Sequence, residues 1–182
     1  MNHQNMWMGQ IVPTLWGCIA MAWNARGIAY SCLPEDSDAR VWDKLEESVG
    51  ARLDKTSLPL DWVSAWQSWE QGDESLLKRL PVTGLDRASF AGRVCLSLRD
   101  IPRGSVRTYG WIALEAESPR GAQAAGQALA ANPLPLILPC HRIVQASGRL
   151  GGFSGARGRV DLKAQLLTWE GVQIKNGRVR SD

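Results

Sequence analysis

The chain has 182 residues, of which 45% are hydrophobic and 21% charged. This composition is typical of a soluble globular protein and excludes disordered, collagenous and membrane-spanning chains. No apolar stretch reaches the ~20 residues that span a bilayer, and the N-terminus lacks the pattern of a signal peptide. Because the four cysteines show no pairing pattern, the sequence predicts a cytoplasmic protein with reduced thiols and no membrane contact.

Charge is distributed unequally along the chain. Residues 1–85 carry a formal net charge of −4, whereas residues 86–182 carry +7, nearly all of it from arginine. Arginine binds phosphates and base edges in a bidentate manner. The second half is therefore expected to bind an acidic partner, nucleic acid first, although an ordinary solvated surface has the same composition.

The first half predicts a small α/β arrangement. Residues 14–33 predict two short strands joined by a turn at Asn24–Gly27. Residues 37–49 carry apolar residues at helical spacing. Residues 54–83 indicate a loop-rich connection with a short helix near Glu74–Leu80, and the charge reversal places a boundary near residue 84.

The second half begins with an apolar stripe, Phe90, Val94, Leu98 and Ile101, which predicts a helix ended by Pro102 and Gly104. Thr108 is expected to cap a short helix that continues to about Ala116. Ser118 is then expected to cap a second helix over Arg120–Ala131, with Pro119 as its first residue. Two short helices about three residues apart fit a helix-turn-helix, although ordinary core helix pairs share this pattern.

A cysteine follows the proline-bounded apolar run 133–139, which predicts an extended, buried segment. Cys140 is succeeded by His141 and Arg142. One interpretation is a buried structural cysteine. The other is a nucleophilic thiolate whose pKa is lowered by its basic neighbours.

The nucleophile interpretation needs a base and a group that orients it. His141 would be the base, with Glu170 the first candidate for the orienting carboxylate and Asp161 the second. A zinc site is disfavoured because the only other histidine is His3. A final helix is predicted over Asp161–Trp169, followed by a hairpin that turns at Asn176–Gly177.

The segment Asn132–Val144 resembles the active-site segment of the 6-O-alkylguanine-DNA alkyltransferases, also called methylated-DNA–protein-cysteine methyltransferases. The resemblance covers about residues 85–172, whereas residues 1–84 resemble the family's variable domain only loosely. Outside the active-site segment it rests on Phe90, Val94, Ile101–Gly104, Val106, Thr108–Gly110, Ser147, Gly148, Gly151–Gly155, Lys163, Leu166, Leu167, Glu170 and Gly171.

The resemblance implies an α+β fold in two domains. Residues 1–84 would form a small variable α/β domain, a ribonuclease-H-like sheet plus helix. Residues 85–182 would form a mostly helical DNA-binding and active-site domain with a helix-turn-helix. The expected partner is double-stranded DNA that carries an alkylated guanine, held by its minor groove with the base flipped out. The protein is expected to act as a monomer without cofactor or metal.

The implied function is direct reversal of DNA damage. An alkyl group would pass irreversibly from 6-O-alkylguanine, and from 4-O-alkylthymine, to Cys140, with one turnover per molecule. His141 would deprotonate the thiol through a water molecule and Glu170 would orient His141. Asn132 would position the cysteine, and Tyr109 would donate a proton to the flipped base. The resemblance further implies a set of residues that contact DNA or the base: Thr108, Arg120, Ala122, Gln123, Gly126, Arg142, Val144, Phe153, Ser154 and Gly155.

Three positions depart from the family pattern. Gln123 replaces the arginine that the family usually inserts where the base leaves the duplex, and Phe153 stands where tyrosine is common. Asn24 and Ala29 fill the approximate positions of zinc ligands that some members carry. An alternative function is a non-catalytic helix-turn-helix protein that senses lesions or regulates, and a third is a Cys-His hydrolase.

Overall fold

The chain folds into two units that together confirm the expected α+β class. The computed structural model describes residues 6–35, 37–153 and 158–180. Of these residues, one unit contains those up to Gly84 together with Pro133–Ile137, and the other contains Leu85–Asn132 and those from Leu138 onward. The sequence did not predict that the segment 133–137 belongs with the first unit.

The first unit is built on a four-stranded sheet. Strands β1 (Met8–Thr14), β2 (Gly17–Asn24) and β3 (Gly27–Ser31) form antiparallel neighbours, and the short β4 (Asp54–Lys55) pairs in parallel with β1. The hairpin between β2 and β3 is the predicted one, whereas β1 lay outside the prediction. That the sheet is ribonuclease-H-like stays a prediction.

Two helices accompany this sheet. Helix α1 (Asp38–Val49) confirms the helix predicted over 37–49, and its Val41 and Leu45 are buried in a cluster with Ala20 and Ala22 of β2. Helix α2 (Leu60–Glu70) was missed and replaces the expected loop. Its buried residues are Trp62, Ala65, Trp66 and Trp69, which follow the i, i+3, i+4, i+7 spacing of a helix face. A single 3-10 turn follows at Leu77–Arg79.

The second unit begins with three helices that pack on one another. These are α3 (Phe90–Ser97), α4 (Tyr109–Glu115) and α5 (Ala122–Ala130). A 3-10 turn at Leu98–Asp100 continues the apolar stripe of α3. The side chain of Thr108 caps α4 as predicted, by accepting a hydrogen bond from the backbone N–H of Trp111 at 3.1 Å.

The start of α5 differs from the prediction. Ser118 does not cap it, because the N–H of Gly121 donates to the Ser118 carbonyl at 2.8 Å and closes a separate turn over 118–121. Gly121 is therefore the N-cap, and Pro119 and Arg120 precede the helix. Glu117 occupies the left-handed region (φ 60°) and ends α4. The two helices are thus separated by six residues rather than three.

The remaining elements of the second unit include the turn that carries the cysteine. A 3-10 turn at Cys140–Arg142 leads into β6 (Ile143–Val144), which pairs in parallel with β5 (Arg107–Thr108). Helix α6 (Val160–Trp169) matches the predicted last helix within one residue. Strands β7 (Ile174–Lys175) and β8 (Arg178–Val179) form the expected hairpin at Asn176–Gly177. No helix of the described ranges is long and apolar enough to cross a membrane.

Candidate active site

The segment before Cys140 is buried as expected, but it consists of turns rather than extended chain. Leu136 has a φ of 72°, which an extended segment does not permit. In the second unit, Asn132 Nδ2 and the Cys140 backbone N–H both donate to the Leu138 carbonyl, at 3.0 and 2.7 Å. These two bonds fix the chain immediately before the cysteine.

A buried hydrogen bond joins the residue after the cysteine to the end of α6. His141 Nε2 lies 2.9 Å from Glu170 Oε1, and the two side chains are 1% and 0% exposed. Glu170 comes to this position because α6 ends at Trp169. Gly171 then takes a left-handed φ of 94° that turns the chain away from the helix. Of the two carboxylates that the sequence offered, the structure therefore brings Glu170 to His141.

Arg142 occupies the other side of the same carboxylate. Its Nη2 lies 2.6 Å from Glu170 Oε1, its Nε 3.0 Å from Oε2, and its Nη1 donates to the Ile101 carbonyl at 2.7 Å. The prediction that Arg142 contacts DNA is therefore wrong for this structure. The residue is 1% exposed and its guanidinium is engaged inside the protein.

The protonation of this group follows from its surroundings. Burial raises the pKa of Glu170, but hydrogen bonds from His141 and Arg142, together with the charge of Arg142, outweigh it and lower the pKa to about 2. Burial lowers the pKa of His141, so the imidazole is neutral near pH 7. Because the ionised carboxylate only accepts hydrogen bonds, Nε2 of His141 carries the proton. Nδ1 has no hydrogen-bond partner among the described residues and is the basic nitrogen.

The thiol of Cys140 is protonated at rest. Burial raises its pKa above the ordinary value, although a hydrogen bond from Asn132 and the charge of Lys163 act in the opposite direction. The expectation that the basic neighbours lower the pKa of Cys140 is therefore wrong. The charge of Arg142 is paired with Glu170 and His141 is neutral, so neither offsets the effect of burial. A base must remove the proton before the sulfur can act as a nucleophile.

Lys163 is a buried cation that the sequence analysis matched to the family but gave no role. Its Nζ donates to the carbonyls of Ile143 and Gly152, at 2.6 and 3.3 Å, and to that of Leu150, at 2.5 Å. No carboxylate within the described ranges forms a salt bridge with it. Burial lowers its pKa to about 8. The lysine thus joins α6 to β6 and to the glycine-rich loop, and its charge acts on Cys140.

Tyr109 stands at the start of α4 between two glycines. Gly126 of α5 would place a β-carbon 3.7 Å from the Tyr109 ring, and Gly151 would place one 3.0 Å from its Oη. Burial and the neighbouring Cys140 raise the pKa of Tyr109, so its hydroxyl stays protonated. Phe153 is buried and lies edge-on to the His141 ring, with centroids 6.5 Å apart.

The other predicted contacts divide into buried and exposed positions. Val144 is 4% exposed and pairs with Thr108 across β5 and β6, which ties the start of α4 to the cysteine turn. Ala122 is partly buried, whereas Gln123 is exposed in the first turn of α5. Arg120 is exposed and lies before the helix, in the turn over 118–121.

Two predicted pocket residues, Ser154 and Gly155, lie outside the described residues, as does His3. Within the described ranges no group of three or more His, Cys, Asp or Glu side chains is placed to hold a metal ion. The expectation that the protein needs neither metal nor cofactor stays a prediction. All four cysteines are free thiols.

Known proteins with similar sequences belong to one family. Residues 89–172 match the family described as the 6-O-methylguanine DNA methyltransferase DNA binding domain. The methylated-DNA–protein-cysteine methyltransferase of Methanosarcina acetivorans is 33% identical over 125 residues, which is 64% of this chain and 78% of that protein. The enzyme of the same name from Methanothermobacter thermautotrophicus is 44% identical over 87 residues. That match covers 47% of this chain and 46% of the relative, so it spans about half the length of that protein.

Solved structures agree with the sequence matches over nearly the whole chain. The Mycobacterium tuberculosis O6-methylguanine methyltransferase superposes with a TM-score of 0.67 at 25% identity and covers 97% of both chains. The M. tuberculosis OGT in complex with DNA superposes with a TM-score of 0.63 at 26% identity, over 90% of this chain and 92% of that one. Fold and site define an α+β protein with a buried Cys-His-Glu group in its second unit. The chain belongs to the methylated-DNA–protein-cysteine methyltransferase family.

Proposed function

We propose that this protein repairs DNA by transferring an alkyl group from 6-O-alkylguanine, and from 4-O-alkylthymine, to Cys140. The observation that carries the proposal is the buried hydrogen bond between His141 and Glu170, directly after the cysteine. It supplies a neutral base beside a thiol whose raised pKa requires one. The family match supplies the substrate class.

The chemistry begins with proton transfer. His141 Nδ1, through a water molecule, takes the proton of the Cys140 thiol, and Glu170 stabilises the resulting imidazolium because its carboxylate is ionised. The charge of Lys163 and the hydrogen bond from Asn132 stabilise the thiolate, since both lower the pKa of Cys140. General-base help of this kind contributes roughly 10²–10⁴-fold to a rate.

The alkyl transfer itself is a displacement at carbon. The sulfur forms a bond to the alkyl carbon while the bond between that carbon and guanine O6 breaks, and its electron pair stays with the base. The base takes up a proton from the Tyr109 hydroxyl, and His141 returns a proton to Tyr109 through solvent. Nothing removes the alkyl group from the thioether, so each molecule acts once.

The DNA interface is proposed on the helix pair α4 and α5. Small side chains at Ala122 and Gly126 let the backbone approach the minor groove closely, and Thr108 lies at the N-terminus of α4. Gln123, exposed in the first turn of α5, would fill the space that the flipped nucleotide leaves. The buried positions Val144 and Phe153, with Ser154 and Gly155 from outside the described ranges, would line the base pocket.

The division of labour between the units is part of the proposal. Residues 85–182 would bind DNA and carry out the chemistry, and residues 1–84 would be a variable domain, in a monomeric protein without cofactor or metal. Because the reaction consumes a free thiol, we place the protein in the cytoplasm, where thiols stay reduced. A lesion sensor without transfer does not need the cysteine, base and carboxylate that this chain retains, so that alternative loses its support.

The test is to mix the intact protein with a duplex that contains one 6-O-methylguanine and to weigh the protein. A gain of one methyl group on the peptide that contains Cys140 is the expected result, and Cys140→Ser should abolish it while DNA affinity persists. Cys95→Ala is the matched control, because Cys95 is the other buried thiol of the same unit and should not be needed. Binding without any mass gain in the wild type would identify a sensor instead.

A further inference from the structure

An isolated β-bridge joins the C-terminal hairpin to the glycine-rich loop. Ile174 pairs with Val179 and Lys175 with Arg178, and Arg178 also forms an antiparallel bridge with Arg149 of the glycine-rich loop. The Val179 N–H donates to the Gly148 carbonyl at 2.9 Å. The hairpin is therefore joined through its backbone to the loop that contacts Tyr109.

The two faces of this small sheet have opposite character. Ile174 and Val179 pack on the buried cluster of Val144, Leu150, Leu167 and Val172. Residues paired directly across antiparallel strands point to the same face, and the face alternates with each residue. Lys175, Arg178 and Arg149 therefore share the outer face, and Arg180 joins them two residues after Arg178. We name this set, Arg149, Lys175, Arg178 and Arg180, the cationic ribbon.

The side chains of the cationic ribbon are exposed to solvent. All four side chains are exposed, and none forms a salt bridge within the part of the chain that the structure describes. Residues 143–153 and 171–180 contain no aspartate or glutamate. Like charges placed directly opposite on a sheet destabilise it. Basic side chains that backbone pairing holds in a row are suited to bind a polyanion outside the protein.

We propose that the cationic ribbon binds the phosphate backbone of DNA as a second contact beside the helix-turn-helix. The family's DNA-binding segment ends at residue 172, so Lys175, Arg178 and Arg180 lie beyond it. The inference rests on the proposed function, because it assumes that DNA is the partner of this unit. Phosphate contacts of this kind position a protein on a duplex without reading sequence.

DNA fits the ribbon better than an anionic lipid surface does. Interfacial binding to membranes is strengthened by apolar side chains that enter the lipid beside the basic ones. The apolar residues of this ribbon, Ile174 and Val179, face the protein core instead, and the outer face offers only basic side chains and Gln173.

The test compares two variants of the full chain with equal charge. In the ribbon variant Arg149, Lys175, Arg178 and Arg180 become glutamine. In the control variant four exposed arginines of the first unit, Arg26, Arg40, Arg52 and Arg79, become glutamine. Fluorescence anisotropy measures the affinity of each for an unmodified duplex over a range of salt concentrations. Thermal unfolding at low salt checks the fold, and the ribbon variant is expected to melt no lower than wild type.

Each lost phosphate contact reduces the magnitude of the log–log salt slope by about 0.9. The ribbon variant is therefore expected to lose about 2–4 from this slope and about tenfold or more in affinity, while the control retains wild-type values. Equal slopes and affinities in both variants would overturn the proposal, as would a loss of binding to phosphatidylglycerol vesicles that exceeds the loss for DNA.

Methyl transfer at saturating DNA separates this proposal from the function on which it rests. The ribbon variant should then gain its methyl group at the wild-type rate, because the active site is intact. A wild-type protein that binds DNA through the ribbon and never gains a methyl group would refute the transferase function alone.

Discussion

Arg142 and Glu170 form an ion pair in the core of the second unit, with Arg142 Nη2 2.6 Å from Glu170 Oε1 and side chains 1% and 0% exposed. The same carboxylate oxygen holds His141 at 2.9 Å. One carboxylate thus neutralises a buried cation and fixes the tautomer of the proposed base. Stability and reactivity consequently depend on the same residue.

Glu170→Gln is expected to damage both properties. It leaves the Arg142 charge buried without a counter-charge, which costs about 3–5 kcal/mol of unfolding free energy. It also removes the charge that stabilises protonated His141, so transfer should slow by roughly 10²–10⁴-fold. Denaturant unfolding and single-turnover transfer measure the two effects. Glu117→Gln is the control, because Glu117 is 82% exposed in its contact with Arg93. Wild-type transfer by Glu170→Gln at neutral pH would remove this residue from the mechanism.

Because the pKa of Glu170 is low, the free energy of unfolding is expected to decrease at acidic pH. Its folded pKa of about 2 lies below the ordinary value of 4.5, so the carboxylate stabilises the fold above pH 4.5, and this contribution is lost as the pH falls toward 2. Unfolding free energies measured between these limits should decline more steeply for wild type than for Glu170→Gln. Parallel declines would show that other carboxylates cause the acid sensitivity.

Lys163→Met is expected to raise the pKa of Cys140 further and to slow transfer. The substitution removes a charge that lowers this pKa and the hydrogen bonds to Ile143, Leu150 and Gly152. The pH dependence of Cys140 alkylation by iodoacetamide, read by mass, reports the thiol directly. Lys55→Met serves as the control because that lysine is exposed and belongs to the first unit. A purely structural lysine would leave the alkylation profile unchanged in the folded variant.

Lys163 is also expected to make the free energy of unfolding depend on pH in the alkaline range. Its folded pKa of about 8 lies below the ordinary value of 10.5, so the unfolded chain binds more protons between these values. Unfolding free energy should therefore rise with pH from about 8 to about 10.5 through this group. The rise should shrink in Lys163→Met, which differential scanning calorimetry over this pH range can establish. A rise of equal size in the variant would assign it to another group.

The secondary structure could be predicted where local signals were complete. The Thr108 cap, the stripe of Val94 and Leu98, and the Asn176–Gly177 turn each carry their own physical signal, and each prediction is confirmed. Helix α2 was missed because serine, proline and tryptophan suggested a loop, although its buried residues follow helical spacing. The start of α5 was wrong because Ser118, a good cap, is used in a turn through its carbonyl instead.

The residue types of the site could be predicted from the sequence, but not which cation acts on the Cys140 thiol. Neighbours in sequence suggested that His141 and Arg142 act on the Cys140 thiol. Only the fold shows that Arg142 is taken by Glu170, and that the active cation is Lys163, 23 positions after the cysteine. A lone lysine in a helix pattern carries no local signal of burial, so composition and spacing could not give it a role.

Two adjacent glycines in the loop beside Tyr109 provide a matched pair of substitutions. Gly151 has a φ of 72°, and a β-carbon there would lie 3.0 Å from Tyr109 Oη, whereas a β-carbon at Gly152 meets nothing within 4 Å. Gly151→Ala should cost about 1–2 kcal/mol from the left-handed backbone alone and should displace the tyrosine, which slows transfer. Gly152→Ala should behave as wild type in unfolding and in single-turnover assays. If the two variants behaved alike, Tyr109 would have no role in the reaction.

Gln123 is the residue expected to take the place of the flipped base. Gln123 is exposed in the first turn of α5, where the family usually has arginine. Glutamine can hydrogen-bond the orphaned base, but it is shorter and adds no attraction to phosphate. Extruding a base costs a few kcal/mol, and a weaker filler leaves more of that cost uncompensated. Gln123→Arg should therefore bind a methylated duplex more tightly or transfer faster than wild type, and Gln123→Ala should do worse.

Arg120 provides the comparison for that experiment. Arg120 is exposed in the turn before α5, close in sequence to Gln123 but outside the helix. It can then contribute as a phosphate contact, and Arg120→Ala should lower affinity and reduce the salt slope by about 0.9, without changing the transfer rate at saturating DNA. Single-turnover transfer is then compared for wild type, Gln123→Arg, Gln123→Ala and Arg120→Ala. The comparison distinguishes a residue that fills the space left by the flipped base from one that contacts the DNA phosphates. If all four proteins gave the same rate and affinity, a different residue would have to hold the base outside the duplex.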